Sequence, residues 1–241
     1  MDTIRHHEHH ITHDEHKEEH LQSSEFLTDI VIGMSDGLTV PFALAAGLSG
    51  AVDSNALVLT AGIAEIVAGS IAMGLGGYLA GQTEIDHYDS ELKREYDEVE
   101  RLPEKEKEEV REVFRAYGIS EHLQEEIVEE MAKDKDKWVE FMMKFELGLE
   151  KPDPKRATKS AGTIGASYIM GGIIPLAPYF FTNSPETGLI YSAITTLICL
   201  FIFGYFKSKI TGQPPLYGAF KTMAIGAAAA AAAFFVAKML D

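Results

Sequence analysis

Residues 187–206 run for twenty positions without one Asp, Glu, Lys or Arg. At about 1.5 Å of rise per residue, roughly 20 apolar residues span the hydrocarbon of a bilayer. Segments 27–51, 55–81, 159–181 and 217–239 are of comparable length and apolarity, and the fourth span extends over 186–206. Segment 55–81 carries Glu65 as its only charge. A soluble chain of this size could not cover five helices that are apolar all round. The sequence therefore predicts an all-α, polytopic membrane protein with five transmembrane helices. The first 25 residues are polar and do not read as a secretory signal peptide.

Whole-chain averages conceal this arrangement. The mean hydropathy of −0.01 and the net charge of −16 suit an acidic soluble protein. Split along the chain, the net charge is −5 over 1–25, −4 over 26–83, −9 over 84–160 and +2 over 161–241. The boundaries that follow are a polar tail (1–25), spans one and two (26–83), a charged helical insert (84–157) and spans three to five (158–241). With 37 acidic residues against 21 basic ones, the chain would repel phosphate, so nucleic acid is not its partner. Cys199 is the single cysteine, which rules out a disulfide framework and a Cys-rich zinc site. Lys151, Lys155, Arg156 and Lys159 precede span three, and Lys207 and Lys209 follow span four. The positive-inside rule then puts the N-terminus and the insert in the cytosol and the C-terminus across the membrane.

The insert reads as helices near 84–101, 104–117, 121–133 and 135–149, broken at Pro103 and Gly118. Most of its acids have Lys or Arg three or four residues away and form solvated pairs. Some instead share a face: Glu91, Glu95 and Glu98 at i, i+4, i+7, and Glu106 with Glu109 at i, i+3. Clustered carboxylates repel one another unless a cation neutralises them, and divalent metals commonly do so. Met142, Met143 and Glu146 lie within about a turn of one another on the last helix. Methionine is more often a core filler, yet thioether beside carboxylate suits a softer divalent ion such as Fe²⁺. Glu84 and His87 have the Glu-x-x-His spacing of di-iron helical bundles, in a single copy.

Ionisable groups within a span are expensive and point to function. Asp36 lies about nine residues into span one, with Pro41 a turn later as a predicted kink. Glu65 and Met73 lie on one broad face of span two through Gly69. Two carboxylates and a thioether can thus line one route for a cation; the alternative is that the carboxylates stay protonated and hydrogen-bond between helices. Gly62, Ala64, Ala68, Gly69, Gly74, Gly76 and Gly77 permit close helix approach, either within a bundle or at a dimer interface.

Three long strings are more specific. SDGLTVPFALAAGLSGA (35–51), AGIAEIVAGSIAMGLGGYLAG (61–81) and FMMKFELGLEKPDPKRA (141–157) resemble the plant vacuolar iron transporter family, and the similarity extends over about 25–240. The resemblance implies a homodimeric transporter, not an enzyme. It would move cytosolic Fe²⁺ into the vacuole in exchange for protons, with Mn²⁺, Co²⁺ and Zn²⁺ as further candidate ligands and no prosthetic group. It implies a path through Asp36, Glu65 and Met73. It also implies a cytosolic metal site of Glu95, Glu98, Glu106, Glu109, Met142, Met143 and Glu146. The N-terminal tail departs from the family pattern: HHEHHITHDEHKEEH holds seven of the nine histidines and reads as disordered. Two other functions compete. A membrane-anchored ferritin-like oxidase would need a second Glu-x-x-His, and none occurs. A metal sensor or buffer without transport would not need Asp36 and Glu65 in the membrane.

Overall fold

The structure, a computed structural model, describes the backbone of residues 20–240 and the side chains of 25–239. Most of the histidine-rich tail lies outside these residues. Eight α-helices follow one another: α1 (His20–Ala51), α2 (Asn55–Arg101), α3 (Pro103–Ala116), α4 (Glu121–Met131), α5 (Lys135–Phe141), α6 (Arg156–Leu176), α7 (Pro185–Ile210) and α8 (Pro215–Leu240). A π-helical turn (Met142–Glu146) extends α5, and a 3₁₀ turn (Ala177–Phe180) extends α6. The described residues contain no strand. Five helices (α1, α2, α6, α7 and α8) are long and apolar enough to cross a membrane, as expected from the sequence.

Local chemistry sets the boundaries. Ser54 and Ser184 cap α2 and α7 by accepting hydrogen bonds from the backbone N–H of Leu57 and Thr187. Pro185 and Pro103 open α7 and α3 in the first turn, where their missing N–H costs nothing. Gly118 and Gly148 take positive φ beyond α3 and the π turn. The last insert helix consequently stops at Glu146 rather than running to 149. α1 continues through Pro41 without interruption, the ring buried and facing Gly172 of α6.

The 47 residues of α2 reach about 70 Å, more than twice the hydrocarbon thickness, so its second half projects beyond the membrane. There it joins α3, α4 and α5 around an apolar core of Val99, Val110, Val128, Trp138, Val139, Met142 and Met143. One helix therefore belongs to both the membrane bundle and the insert.

Within the bundle, α6 lies between α1 and α2 and is the main partner of both. Glycines make this possible. A Cβ at Gly81 would stand 2.7 Å from the Ala157 Cα, and one at Gly77 would stand 2.9 Å from the Ser160 hydroxyl. Gly74, Gly69 and Gly62 continue the seam against Ala161, Tyr168 and Leu176, so α2 and α6 run antiparallel. On α1, Gly33 meets Ile164 and Ser167, and Gly37 meets the Tyr168 backbone, so α1 and α6 run parallel. α8 packs on the other side of α1, where Ala230 fills the space beside Phe42 and Ala46.

Candidate functional site

Two groups of polar residues stand out, one within the membrane bundle and one in the insert. In the bundle, α1 brings Asp36, α2 brings Glu65 and Met73, and all three are half-buried. Beside Glu65 stands Tyr168 of α6, which is buried. Its ring occupies the notch left by Gly69, and its hydroxyl donates a hydrogen bond to Glu65 Oε1. Glu65 Oε2 is buried with no partner among the described residues. Asp36 neighbours Gly37, which touches the Tyr168 backbone, and has no hydrogen-bond or ion-pair partner among the described residues. Glu65 is thus held by an α6 tyrosine, and Asp36 stands one residue from the glycine that packs against the backbone of the same tyrosine. Sequence reasoning missed Tyr168. Span three carries two tyrosines, Tyr168 and Tyr179, and nothing in the sequence marks which of them faces the membrane carboxylates.

Toward the insert end of this seam lies a second unanticipated contact. Arg156 donates to Asp29 Oδ2 at 2.6 Å, and the Ser160 hydroxyl donates to Asp29 Oδ1 at 3.1 Å. Glu25 is ion-paired with the same guanidinium at 3.2 Å. The start of α6 is tied in this way to the start of the membrane part of α1.

In the insert, carboxylate oxygens of Glu95, Glu98 and Glu106 lie within 4.8 Å of one another, as do those of Glu106, Glu109 and Glu146. Glu106 is common to both groups. The three elements that supply them are the projecting half of α2, the first turns of α3 and the π turn. Glu95 and Glu106 are fully buried, and each has an oxygen without a hydrogen-bond partner. An unpaired buried carboxylate is costly unless a cation or a proton satisfies it. Glu95 precedes Val99 by one turn on α2, and Glu106 precedes Val110 by one turn on α3. The carboxylates therefore form a layer next to the apolar core between the same helices. Met142 and Met143 are fully buried in that core. The π turn, closed by Leu147 N–H to Met142 C=O at 3.1 Å, carries both methionines and Glu146. Such turns often occur at functional positions. An open groove bordered by Glu109, Glu112, Tyr117 and Glu146 gives solvent access to the second group. Glu84 and His87 are exposed and belong to neither group.

Burial, helped by the Glu109 charge, raises the Glu106 carboxyl to about 7; burial with Glu109 and Glu95 raises Glu146 to about 7. Glu95 is also raised, first by burial and then by Glu98, with Arg94 opposing. These acids bind protons more tightly folded than unfolded. The metal-free protein should therefore lose stability as pH rises from the ordinary value of 4.5 to about 7. Metal binding should move the opposite way, because the metal displaces those protons. Co²⁺ affinity should tighten by about tenfold per displaced proton between about pH 6 and pH 7.5. Calorimetric titration of the purified chain at the two pH values checks this, and a flat affinity would exclude Glu106 and Glu146 as ligands.

Residues 27–238 match the VIT family. The chain is 54% identical to vacuolar iron transporter 1 of Arabidopsis thaliana, over 95% of this chain and 91% of that one. It is 51% identical to vacuolar iron transporter 2 of Oryza sativa subsp. japonica, over 95% and 93%. Protein CCC1 of Saccharomyces cerevisiae is 39% identical over 89% of this chain and 69% of its own length.

Proposed function

This chain belongs to the vacuolar iron transporter (VIT) family, and from that premise we propose that it moves Fe²⁺ out of the cytosol across the vacuolar membrane. The observation that carries the reading is the pair of half-buried membrane carboxylates, Asp36 on α1 and Glu65 on α2, both on helices packed against α6. A protein that used its helices only as an anchor would not retain such groups.

The proposed sequence starts in the insert. Its net negative charge raises the local concentration of divalent cations. Glu95, Glu98, Glu106, Glu109 and Glu146 collect the ion. Met142 and Met143, in the adjoining layer, offer thioether donors that favour Fe²⁺ over Mg²⁺. The ion then passes Met73 and Asp36 and continues to Glu65. Glu65 accepts one hydrogen bond from Tyr168 and keeps an oxygen free, so it can exchange a metal ion for a proton on the far side. Proton exchange, transport of Mn²⁺ and other divalents, a homodimer, cytosolic placement of the N-terminus and insert, and a lumenal C-terminus all belong to this proposal.

Proteoliposomes holding the purified chain test the function. External Fe²⁺ should enter when the interior is made acidic, and the interior should lose protons as it does. Fe²⁺ uptake that ignores the imposed gradient would remove proton exchange and leave a channel-like reading. No uptake under any gradient, with the metal still bound, would favour a sensor or buffer.

A further inference from the structure

The carboxylates of the insert have internal counterions. Lys105 Nζ lies 2.8 Å from Glu109 Oε1 and 3.5 Å from Glu106 Oε1. Arg94 reaches Glu95 at 3.6 Å and Glu98 at 3.8 Å, although its closest contact, at 2.6 Å, is Glu91. The two cations are not equivalent. Glu106 belongs to both carboxylate groups, so Lys105 stands where the groups join. Lys105 is also the only lysine or arginine with an ion pair to Glu106 or Glu109 among the described residues. Other basic residues of α3 turn elsewhere: Lys107 to Glu104 and Glu129, Arg111 to Glu108 and Glu125.

Lys105 sits in the first turn of α3, beside Pro103, with its side chain about half exposed. An ammonium on a flexible four-carbon stem can leave a buried acid and return to water with little rearrangement. The Glu106 carboxylate cannot follow, because it is fully buried.

We propose that Lys105 is a displaceable counterion of the cytosolic metal site. Its ammonium holds Glu106 and Glu109 while the site is empty and swings into solvent when a divalent cation enters. It then competes for the same oxygens, which weakens binding and hastens release toward the membrane path. A single positive charge is displaced by a divalent ion far more readily than by Na⁺ or K⁺, so the same residue biases the site against monovalent ions. This inference rests on reading the five glutamates as the cytosolic metal site.

The test titrates Co²⁺ into the detergent-purified full chain and follows affinity by calorimetry and release by stopped-flow chelation. Lys105→Met should tighten Co²⁺ binding by on the order of tenfold and slow its release. Lys105→Gln should behave in the same way and stands in if the Met variant folds poorly. Lys105→Arg keeps the charge and should stay within about threefold of wild type. Lys133→Met, which removes a lysine paired with Glu130 outside the site, should do likewise. Unchanged or weaker binding in Lys105→Met and Lys105→Gln would overturn the proposal. So would an equal gain in Lys133→Met, which would make the effect one of net charge. Failure of the underlying site reading has a different signature: Glu106→Gln and Glu109→Gln would bind Co²⁺ as wild type does.

Discussion

Proteoliposomes carrying Asp36→Ala should take up Fe²⁺ on the order of a hundredfold more slowly than wild type. The reasoning is electrostatic. A charge at the centre of a bilayer costs at least about 2.5–3.5 kcal/mol, and each 1.4 kcal/mol is a factor of ten in rate. A cation midway across therefore needs a compensating carboxylate, and spans one and two supply only Asp36 and Glu65 near Tyr168. Glu65 already shares one oxygen with the Tyr168 hydroxyl, whereas Asp36 has no such partner among the described residues. Asp36→Asn, nearly the same in shape, should be as slow as the alanine variant, because charge and not packing is being removed. Asp53→Asn, at an exposed position between α1 and α2, should transport normally. Uptake by Asp36→Asn at the wild-type rate would take Asp36 off the path.

A second large effect is expected at the insert end of the α1–α6 seam. Arg156→Met should destabilise the protein by about 3 kcal/mol, because it leaves Asp29 buried without its main partner. Asp29 has a side-chain exposure of 4% and cannot turn to water for compensation. For a chain of this size the loss corresponds to a fall of roughly 6–12 °C in thermal midpoint. Arg156→Lys should recover only part of it, since an ammonium cannot reproduce the two-pronged guanidinium contact. The double variant Asp29→Asn with Arg156→Met should be more stable than Arg156→Met alone, because the stranded charge is gone. The midpoint of the detergent-purified protein, read by size exclusion after heating, checks both comparisons. An Arg156→Met midpoint within about 1 °C of wild type would mean that solvent screens the pair.

These two residues also show how far the sequence could be read. Asp36 was legible because cost in a membrane depends on depth, and depth follows from position along a span. The Arg156–Asp29 pair was not, since it joins residues 127 positions apart. Arg156 entered the sequence reading only as a positive charge near a membrane end. The carboxylates of the insert fall between these cases. Helical spacing placed Glu95 with Glu98 and Glu106 with Glu109, but gave no reason for Glu106 to be shared with both Glu98 and Glu146. The methionines illustrate the limit in the other direction. A ligand and a core residue have the same sequence pattern, and burial of Met142 and Met143 in the apolar layer beside the glutamates became visible only in three dimensions.

The small residues of span two were equally ambiguous, suiting either a bundle or a dimer. Tertiary structure sorts them. Gly62, Gly69, Gly74 and Gly77 face α6, whereas Ala64, Ala68 and Gly76 lie on exposed positions. What the sequence determined alone was the class of protein: five spans, a charged helical insert, and carboxylates stranded in apolar helices. Each is a local property, because crossing a bilayer needs a run of apolar residues and every charge within that run is costly wherever the helix packs. What only the tertiary structure decided was the partnering: α6 between α1 and α2, Tyr168 on Glu65, Arg156 on Asp29, and Lys105 at the junction of two carboxylate groups. Those contacts depend on close approach between residues far apart in the chain, and helical periodicity gives the face of a helix but not what stands opposite it.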